Sequence, residues 1–322
     1  MNSPKPHIVF LDRSTLAVPL RAPACGHRWS DFDHSAPEQV VARLADADIA
    51  VSNKVRIDDR MLTALPRLRH IAIAATGTDH IDLAACKAHG VSVSNIRNYG
   101  AESVAEHVFA LMLGLSRQLL AYSRDAAAGR WEQGPNFCFL DYPIVDLHGR
   151  RLGLVGQGAI GSAVARIAQG FGMELLLSER PGATEIRPGR RPFVEVLATA
   201  DVLSLHLPLS EATRHLIGAA ELDLMKPGAL LINTARGALV DEPALAAALR
   251  VGRIGGAGID VLAKEPPPAD SPLLQLAREG CQRLLLTPHV AWASGTAQAN
   301  LAEQLVGNIE AFLSGAPRHL VT

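Results

Sequence analysis

Three features of the 322-residue chain predict an α/β protein of two domains, each built on a parallel sheet and one of them discontinuous. Short apolar runs alternate with helical patterns along the whole length, the signature of parallel strands joined by crossover helices. A glycine-rich turn, Gly156-Gln157-Gly158-Ala159-Ile160-Gly161, follows an apolar run in mid-chain, so a separate α/β unit has to precede it. A last helical pattern over residues 297–313 has no strand to accompany it and most economically packs back on the first unit.

Taken in order, residues 8–11, 49–52, 71–75 and 91–94 are the first strand candidates, each a short run of mostly apolar residues of the kind that a sheet covered on both faces requires. Helix candidates at 38–44, 59–65 and 83–89 lie between them. From Ser103 the stretch Val104-Ala105-Glu106-His107-Val108-Phe109-Ala110-Leu111-Met112 begins a long helix, and residues 129–146, rich in Gly, Pro and aromatics, read as a loop. A second series starts at Arg151, with the glycine turn after its first strand and further strands at 174–177, 202–205, 230–233, 258–261 and 284–286. The expected division is a substrate domain of residues 1–99 completed by 293–322, and a nucleotide domain of residues 100–292. Both are expected to be Rossmann-like or flavodoxin-like.

Composition narrows the partners. Apolar residues make up 48% of the chain and charged residues 20%, ample for two cores. Thirty-one Lys and Arg nearly cancel 32 Asp and Glu, so no strong field favours nucleic acid or an anionic membrane, and a small-molecule partner fits better. The four cysteines are scattered without a C-x-x-C pair, which reads as reduced thiols in the cytoplasm. The apolar stretch closed by Asp12 is too short for a signal peptide, and no run approaches the roughly 20 apolar residues of a membrane helix. The histidines show no paired spacing for a metal, and none is expected.

In the glycine turn, Gly156 permits a tight strand-to-helix reversal, Gly158 lets backbone approach a pyrophosphate, and Gly161 allows close helix–strand packing. Gln157, Ala159 and Ile160 supply the intervening backbone, and the following helix offers unpaired N–H groups to phosphates. Glu179, eighteen positions after Gly161, is placed to accept bonds from both ribose hydroxyls and to repel a 2′-phosphate, which favours NAD. Arg180 beside it could receive that phosphate, so NADP stays open as the alternative.

Four later segments carry chemistry: Leu205–Leu209 with His206, Leu207 and Pro208; Asn233–Asp241 with Thr234, Ala235 and Arg236; Asp260–Pro266 with Glu265; and Thr287–Trp292 with His289. All fall at or just beyond the carboxyl ends of predicted strands, the edge where such sheets bind ligands. Arginine's donor fork matches the planar carboxylate of a keto acid. An imidazole exchanges protons near neutral pH, and a carboxylate neighbour fixes its tautomer and favours its charged form.

These segments, in this order and with these gaps, resemble the D-isomer-specific 2-hydroxyacid dehydrogenases, which use NAD or NADP. The segments Asn95–Gly100 and Phe137–Ile144 are most similar to the family's glycerate dehydrogenases, or hydroxypyruvate reductases. The resemblance implies that Arg236 binds the substrate carboxylate and carbonyl oxygen, that His289 exchanges a proton with that oxygen, and that Glu265 pairs with His289. It implies that Asp260 holds the nicotinamide carboxamide, with His206, Leu207, Pro208, Thr234, Ala235 and His289 along the cofactor. The loop Thr76-Gly77-Thr78 would offer backbone N–H groups to the substrate, with Lys54 reaching it and Trp292 walling the pocket. A homodimer is implied, through the helix that begins at Ser103 and the 129–146 loop. Phosphoglycerate and D-lactate dehydrogenases, and an NAD-sensing corepressor that binds a partner without turnover, are the alternatives within the same fold.

Overall fold

The computed structural model describes residues 5–322, which form two compact units. One takes the chain as far as Gly100 together with Ala293–Thr322, and the other takes Ala101–Trp292. Among the described residues no single helix is long and apolar enough to cross a membrane.

The first unit is a five-stranded parallel sheet of β1 (His7–Phe10), β2 (Arg28–Asp31), β3 (Ile49–Ser52), β4 (His70–Ile73) and β5 (Ser92–Ser94), in the order β2-β1-β3-β4-β5. β1, β3 and β4 are buried throughout, which is why each reads as a mostly apolar run. β2 was not foreseen. It is an edge strand of sequence Arg-Trp-Ser-Asp whose side chains are exposed or half-buried, so it has neither an apolar run nor clean alternation. The terminal helix Gly295–Leu313 belongs to this unit: Phe312 stacks on the His70 ring at 4.4 Å, and Asn308 Nδ2 donates to the Asn95 carbonyl at 3.0 Å.

The second unit is a six-stranded parallel sheet of β6 (Arg151–Val155), β7 (Glu174–Leu177), β8 (Val202–Leu205), β9 (Leu230–Asn233), β10 (Gly256–Ile259) and β11 (Leu284–Leu286), in the order β11-β10-β9-β8-β6-β7. Neighbouring residues serve opposite faces: Leu231 joins the core cluster containing Leu203 and Ile259, and Ile232 joins the one containing Leu152 and Leu154. β10 begins two residues earlier than expected, because Gly256 and Ala257 carry too little side chain to read as apolar yet are wholly buried. The helix predicted from Ser103 runs Ala101–Ser116 and breaks at Gln118, whose φ of 51° is left-handed, before a second helix Leu119–Ala127. Chain order reverses between β6 and β8, and their carboxyl ends form the crevice where open α/β sheets take ligands.

His70 is fully buried in the first unit, 2.8 Å from Ser92 Oγ and 2.9 Å from Ser94 Oγ, and burial pushes its imidazole down to about 4. The unfolded chain therefore binds more protons than the folded one between about pH 6.5 and 4, so stability is full above 6.5 and falls as pH drops towards 4. A shift of this size corresponds to roughly 3 kcal/mol. Urea denaturation at pH 7 and pH 5 should show a smaller loss for His70→Gln than for the parent chain, and equal losses would contradict the assignment.

Candidate active site

The glycine turn leaves β6 with Gly156 at φ 99°, and a Cβ there would sit 2.5 Å from the His206 carbonyl oxygen at the end of β8. Only glycine allows both the backbone angle and this approach. Gly161 is pressed against the turn itself, since an added Cβ would meet the Gly156 oxygen at 2.3 Å. Gly158 differs: a Cβ there would meet nothing within 4 Å, so space lies open just ahead of the helix Ala159–Gly170. Gln157 and Ala159 are exposed and Ile160 packs towards the core. His206 lies 2.9 Å from Ser204 Oγ, and burial pushes its imidazole down to about 4, which keeps it neutral at pH 7. Leu207 packs on the core, and the exposed Pro208 accepts at its carbonyl from Thr213 Oγ1.

Beyond β9, the buried Asn233 side chain clamps the turn that carries Arg236. Its Oδ1 accepts from Ala235 N at 3.0 Å and its Nδ2 donates to the Arg236 carbonyl at 2.9 Å. Arg236 Nη1 donates to the Ala235 carbonyl at 2.8 Å. The next residue, Gly237, lies so close to the chain after β10 that a Cβ would meet Leu262 C at 1.9 Å. Arg236 is thereby fixed beside the segment that leads to Glu265. Thr234 Oγ1 is buried without a hydrogen-bond partner.

Asp260, directly after β10, is 1% exposed and organises the segment after β11. Its Oδ1 accepts from Thr287 Oγ1 at 2.6 Å and Val290 N at 3.0 Å, and its Oδ2 accepts from Ala291 N at 3.0 Å. Its carbonyl accepts from His289 N at 2.7 Å, and its own N–H donates to the Asn233 carbonyl. These bonds hold His289 at φ 56°, in the left-handed region that few non-glycine residues adopt. His289 Nδ1 donates to Glu265 Oε2 at 2.5 Å, and Glu265 Oε1 accepts from Leu262 N at 2.9 Å. Both oxygens of Glu265 are thus engaged, the His289 tautomer is set, and Nε2 is the ring nitrogen left for proton exchange. Trp292 Nε1 donates to the His289 carbonyl at 3.0 Å.

Two residues expected along the cofactor already have partners within the second unit. Glu179, expected to take the ribose hydroxyls, is 3% exposed and already accepts from Arg180 N, Arg187 N, Arg187 Nε and Arg187 Nη2. Those four bonds use the lone-pair directions of a carboxylate, and the Arg187 guanidinium holds the carboxyl down at about 2. Asp260, expected at the nicotinamide, also anchors the His289 segment, with two bonds accepted at Oδ1 and one, from Ala291 N, at Oδ2.

In the first unit, Thr76-Gly77-Thr78 follows β4. Thr76 Oγ1 donates to the Ile96 carbonyl, and the Thr76 carbonyl accepts from Asn95 Nδ2, both at 2.8 Å. Lys54 follows β3, and its N–H donates at 2.7 Å to Asp12, a buried carboxylate that also accepts from Asn53 N. Burial raises Asp12 against the lowering effect of these backbone bonds. Asp12 and the structural use of Asp260 had no local signal, since their partners lie about 30 to 40 positions away, and Arg187 meets Glu179 only because the loop after β7 returns it. Among the described residues no cluster of three or more His, Cys, Asp or Glu could hold a metal.

The second unit fits a dinucleotide on its own evidence: open space at Gly158 ahead of a helix N-terminus, and the buried Thr234 hydroxyl with no partner. The family model for the NAD-binding domain of D-isomer specific 2-hydroxyacid dehydrogenases matches residues 109–291. The chain is 44% identical to a putative 2-hydroxyacid dehydrogenase of Haemophilus influenzae, covering 95% of this chain and 98% of that one. It is 45% identical to the glycerate dehydrogenase of Methylorubrum extorquens, with 98% of each covered. Among solved structures, an NADPH-dependent glyoxylate/hydroxypyruvate reductase from Sinorhizobium meliloti, in complex with NADP and malonate, superposes with a TM-score of 0.83 at 28% identity, covering 99% of this chain and 97% of that one.

Proposed function

The chain belongs to the D-isomer-specific 2-hydroxyacid dehydrogenases, oxidoreductases that use NAD(P), and we propose that its reaction is reduction of hydroxypyruvate to D-glycerate. The observation that carries the reading is the 2.5 Å contact between Glu265 and His289, on segments anchored to the ends of β10 and β11. The relatives named glycerate dehydrogenase and hydroxypyruvate reductase support the substrate, and the D hand of the product follows the family.

The planar guanidinium of Arg236 binds the substrate carboxylate through paired N–H donors and polarises the carbonyl beside it. When bound, the reduced nicotinamide supplies the hydride that the keto carbon accepts. His289 gives the proton at Nε2 to the carbonyl oxygen, completing the hydroxyl, and recovers a proton from solvent. In the reverse direction Nε2 takes the hydroxyl proton. Glu265 stabilises the charged imidazole in both directions and keeps Nε2 presented. Gly156 and Gly161 form the tight turn that would present Gly158 and the helix N-terminus to the pyrophosphate, and Thr234 Oγ1 and the Ala235 and His206–Pro208 backbone would line the cofactor. Thr76, Gly77, Thr78, Lys54 and Trp292 are assigned to the substrate. No metal is assigned, since Arg236 and His289 supply the polarisation. The scattered free thiols support the cytoplasm as its compartment.

Oxidation of NADH and NADPH against hydroxypyruvate, glyoxylate, pyruvate and longer 2-keto acids, with chiral analysis of the product, tests the reading. Hydroxypyruvate should give the highest kcat/KM and D-glycerate the product; weak turnover of it beside strong turnover of another acid would contradict the substrate. His289→Ala and Arg236→Ala should each lose at least about a hundredfold in kcat/KM, and near-normal turnover in either would contradict the roles.

A homodimer is part of the same proposal. The segment after the helix Leu119–Ala127 is tied down by Trp131 Nε1 to the Phe137 carbonyl and by Tyr142 to Asp125, yet it leaves Phe137 89% and Leu140 79% exposed. An ordered segment with large apolar side chains outward is expected to be covered by a second copy. Light scattering should give twice the mass of one chain, reduced towards one chain by Phe137→Ser with Leu140→Ser; a monomeric parent chain would refute the dimer.

A further inference from the structure

The helix Ala101–Ser116 sends two polar side chains to the segment after β11. Ser103 and His107 are four residues apart, so they share one face of the helix, one turn from each other. Ser103 Oγ donates to the Ala291 carbonyl at 2.7 Å, and His107 Nε2 lies 3.0 Å from Thr287 Oγ1. Both partners flank His289, and both are already bonded on their other side to Asp260. The carboxylate takes the Ala291 N–H and the Thr287 hydroxyl proton, and the helix takes the Ala291 carbonyl and the Thr287 oxygen.

Chemistry fixes the direction of these bonds. A carboxylate only accepts, so the 2.6 Å bond from Thr287 to Asp260 uses the single hydroxyl proton. Thr287 Oγ1 can then meet His107 only as an acceptor, which places an N–H on His107 Nε2. A one-way chain results, from His107 Nε2 through Thr287 Oγ1 to Asp260 Oδ1. His107 Nε2 is also 3.5 Å from Asp260 Oδ1 itself, so the donor faces the carboxylate as well as the hydroxyl. Asp260 is buried and His107 half-buried, so the surroundings offer Thr287 few replacements for a lost donor. Without that donor the Thr287 hydroxyl is free to turn, two residues before the imidazole whose placement matters.

We propose that His107 is a positioning residue for the reaction: its Nε2–H, acting through Thr287 and Asp260, fixes where His289 presents its own Nε2, while Ser103 braces the same segment at Ala291. This rests on the reading of His289 as the proton donor. His107 exchanges no proton with the substrate and supplies orientation alone. Orientation is enough to matter, because a reacting group displaced by about 1 Å can lose on the order of a hundredfold in rate. Arg236 is clamped by Asn233 on a separate segment, so substrate binding is independent of this chain and the loss falls on kcat.

Single-turnover and steady-state kinetics of the full chain, with the 2-keto acid and reduced nicotinamide it turns over fastest, separate the chemical step from binding. His107→Ala and Thr287→Val should each slow the single turnover about ten- to a hundredfold, with KM within about threefold of the parent chain. His107→Gln, which keeps an N–H donor at the same reach, and Thr287→Ser, which keeps the hydroxyl, should recover most of the rate. In a His289→Ala background, His107→Ala should make no further difference. With His289→Ala slow, a parental rate for His107→Ala, a His107→Gln as slow as His107→Ala, or losses that multiply in the double variant would overturn the positioning role and leave the proton donor in place. Should His107→Ala fail to fold, Thr287→Val against Thr287→Ser carries the comparison, and equal rates overturn the proposal. Near-parental turnover of His289→Ala would overturn the proton-donor reading and this proposal together.

Discussion

A single buried carboxylate holds the segment that carries the proposed proton donor. Asp260 sits at the end of β10 and accepts hydrogen bonds from Thr287, Val290 and Ala291, while its backbone joins Asn233 on one side and His289 on the other. The ends of β9, β10 and β11 are thereby one hydrogen-bonded assembly. His289 stays in a left-handed backbone because four bonds made by one residue leave its segment no relaxed alternative. Glu265 can then meet Nδ1 at short range without either long side chain having to search for the other. Proton exchange at Nε2, as proposed, depends on this rigidity more than on any property of histidine alone.

The opposite end of the same sheet edge is governed by charge. The chain as a whole is almost neutral, which excludes long-range attraction as a means of selecting partners. Locally the balance is uneven, because a buried acid at the end of β7 is consumed by one arginine while another arginine is braced by neutral oxygens. Which charges stay unpaired at this strand end follows from these local pairings, and no count of acidic and basic residues would show it.

Much of this was legible in the chain because burial on both sheet faces forces mostly apolar runs, and the glycine turn needs specific residues at specific steps. Arg236, Glu265 and His289 stood out since each follows a strand that the pattern identifies. The edge strand β2 escaped because Arg28 and Asp31 are exposed and nothing in Arg-Trp-Ser-Asp alternates cleanly. The break at Gln118 escaped because the apolar helical pattern continues on its far side. Glu179 was read from its own chemistry, a carboxylate at a strand end, while its behaviour is set by Arg187, eight residues away and returned by a loop whose path has no local signature. The structural part played by Asp260 was equally hidden: its hydrogen bonds to Thr287 and Ala291 lie about 30 positions off and leave no trace in sequence spacing.

The most direct test of the central claim is a double-mutant cycle on kcat/KM for Glu265→Ala, His289→Ala and the pair together. If Glu265 acts through His289, the double variant will be no slower than His289→Ala alone, with a coupling close to the whole effect of Glu265→Ala. If the two losses multiply, Glu265 works independently of the imidazole, and the account of a carboxylate-held proton donor is wrong.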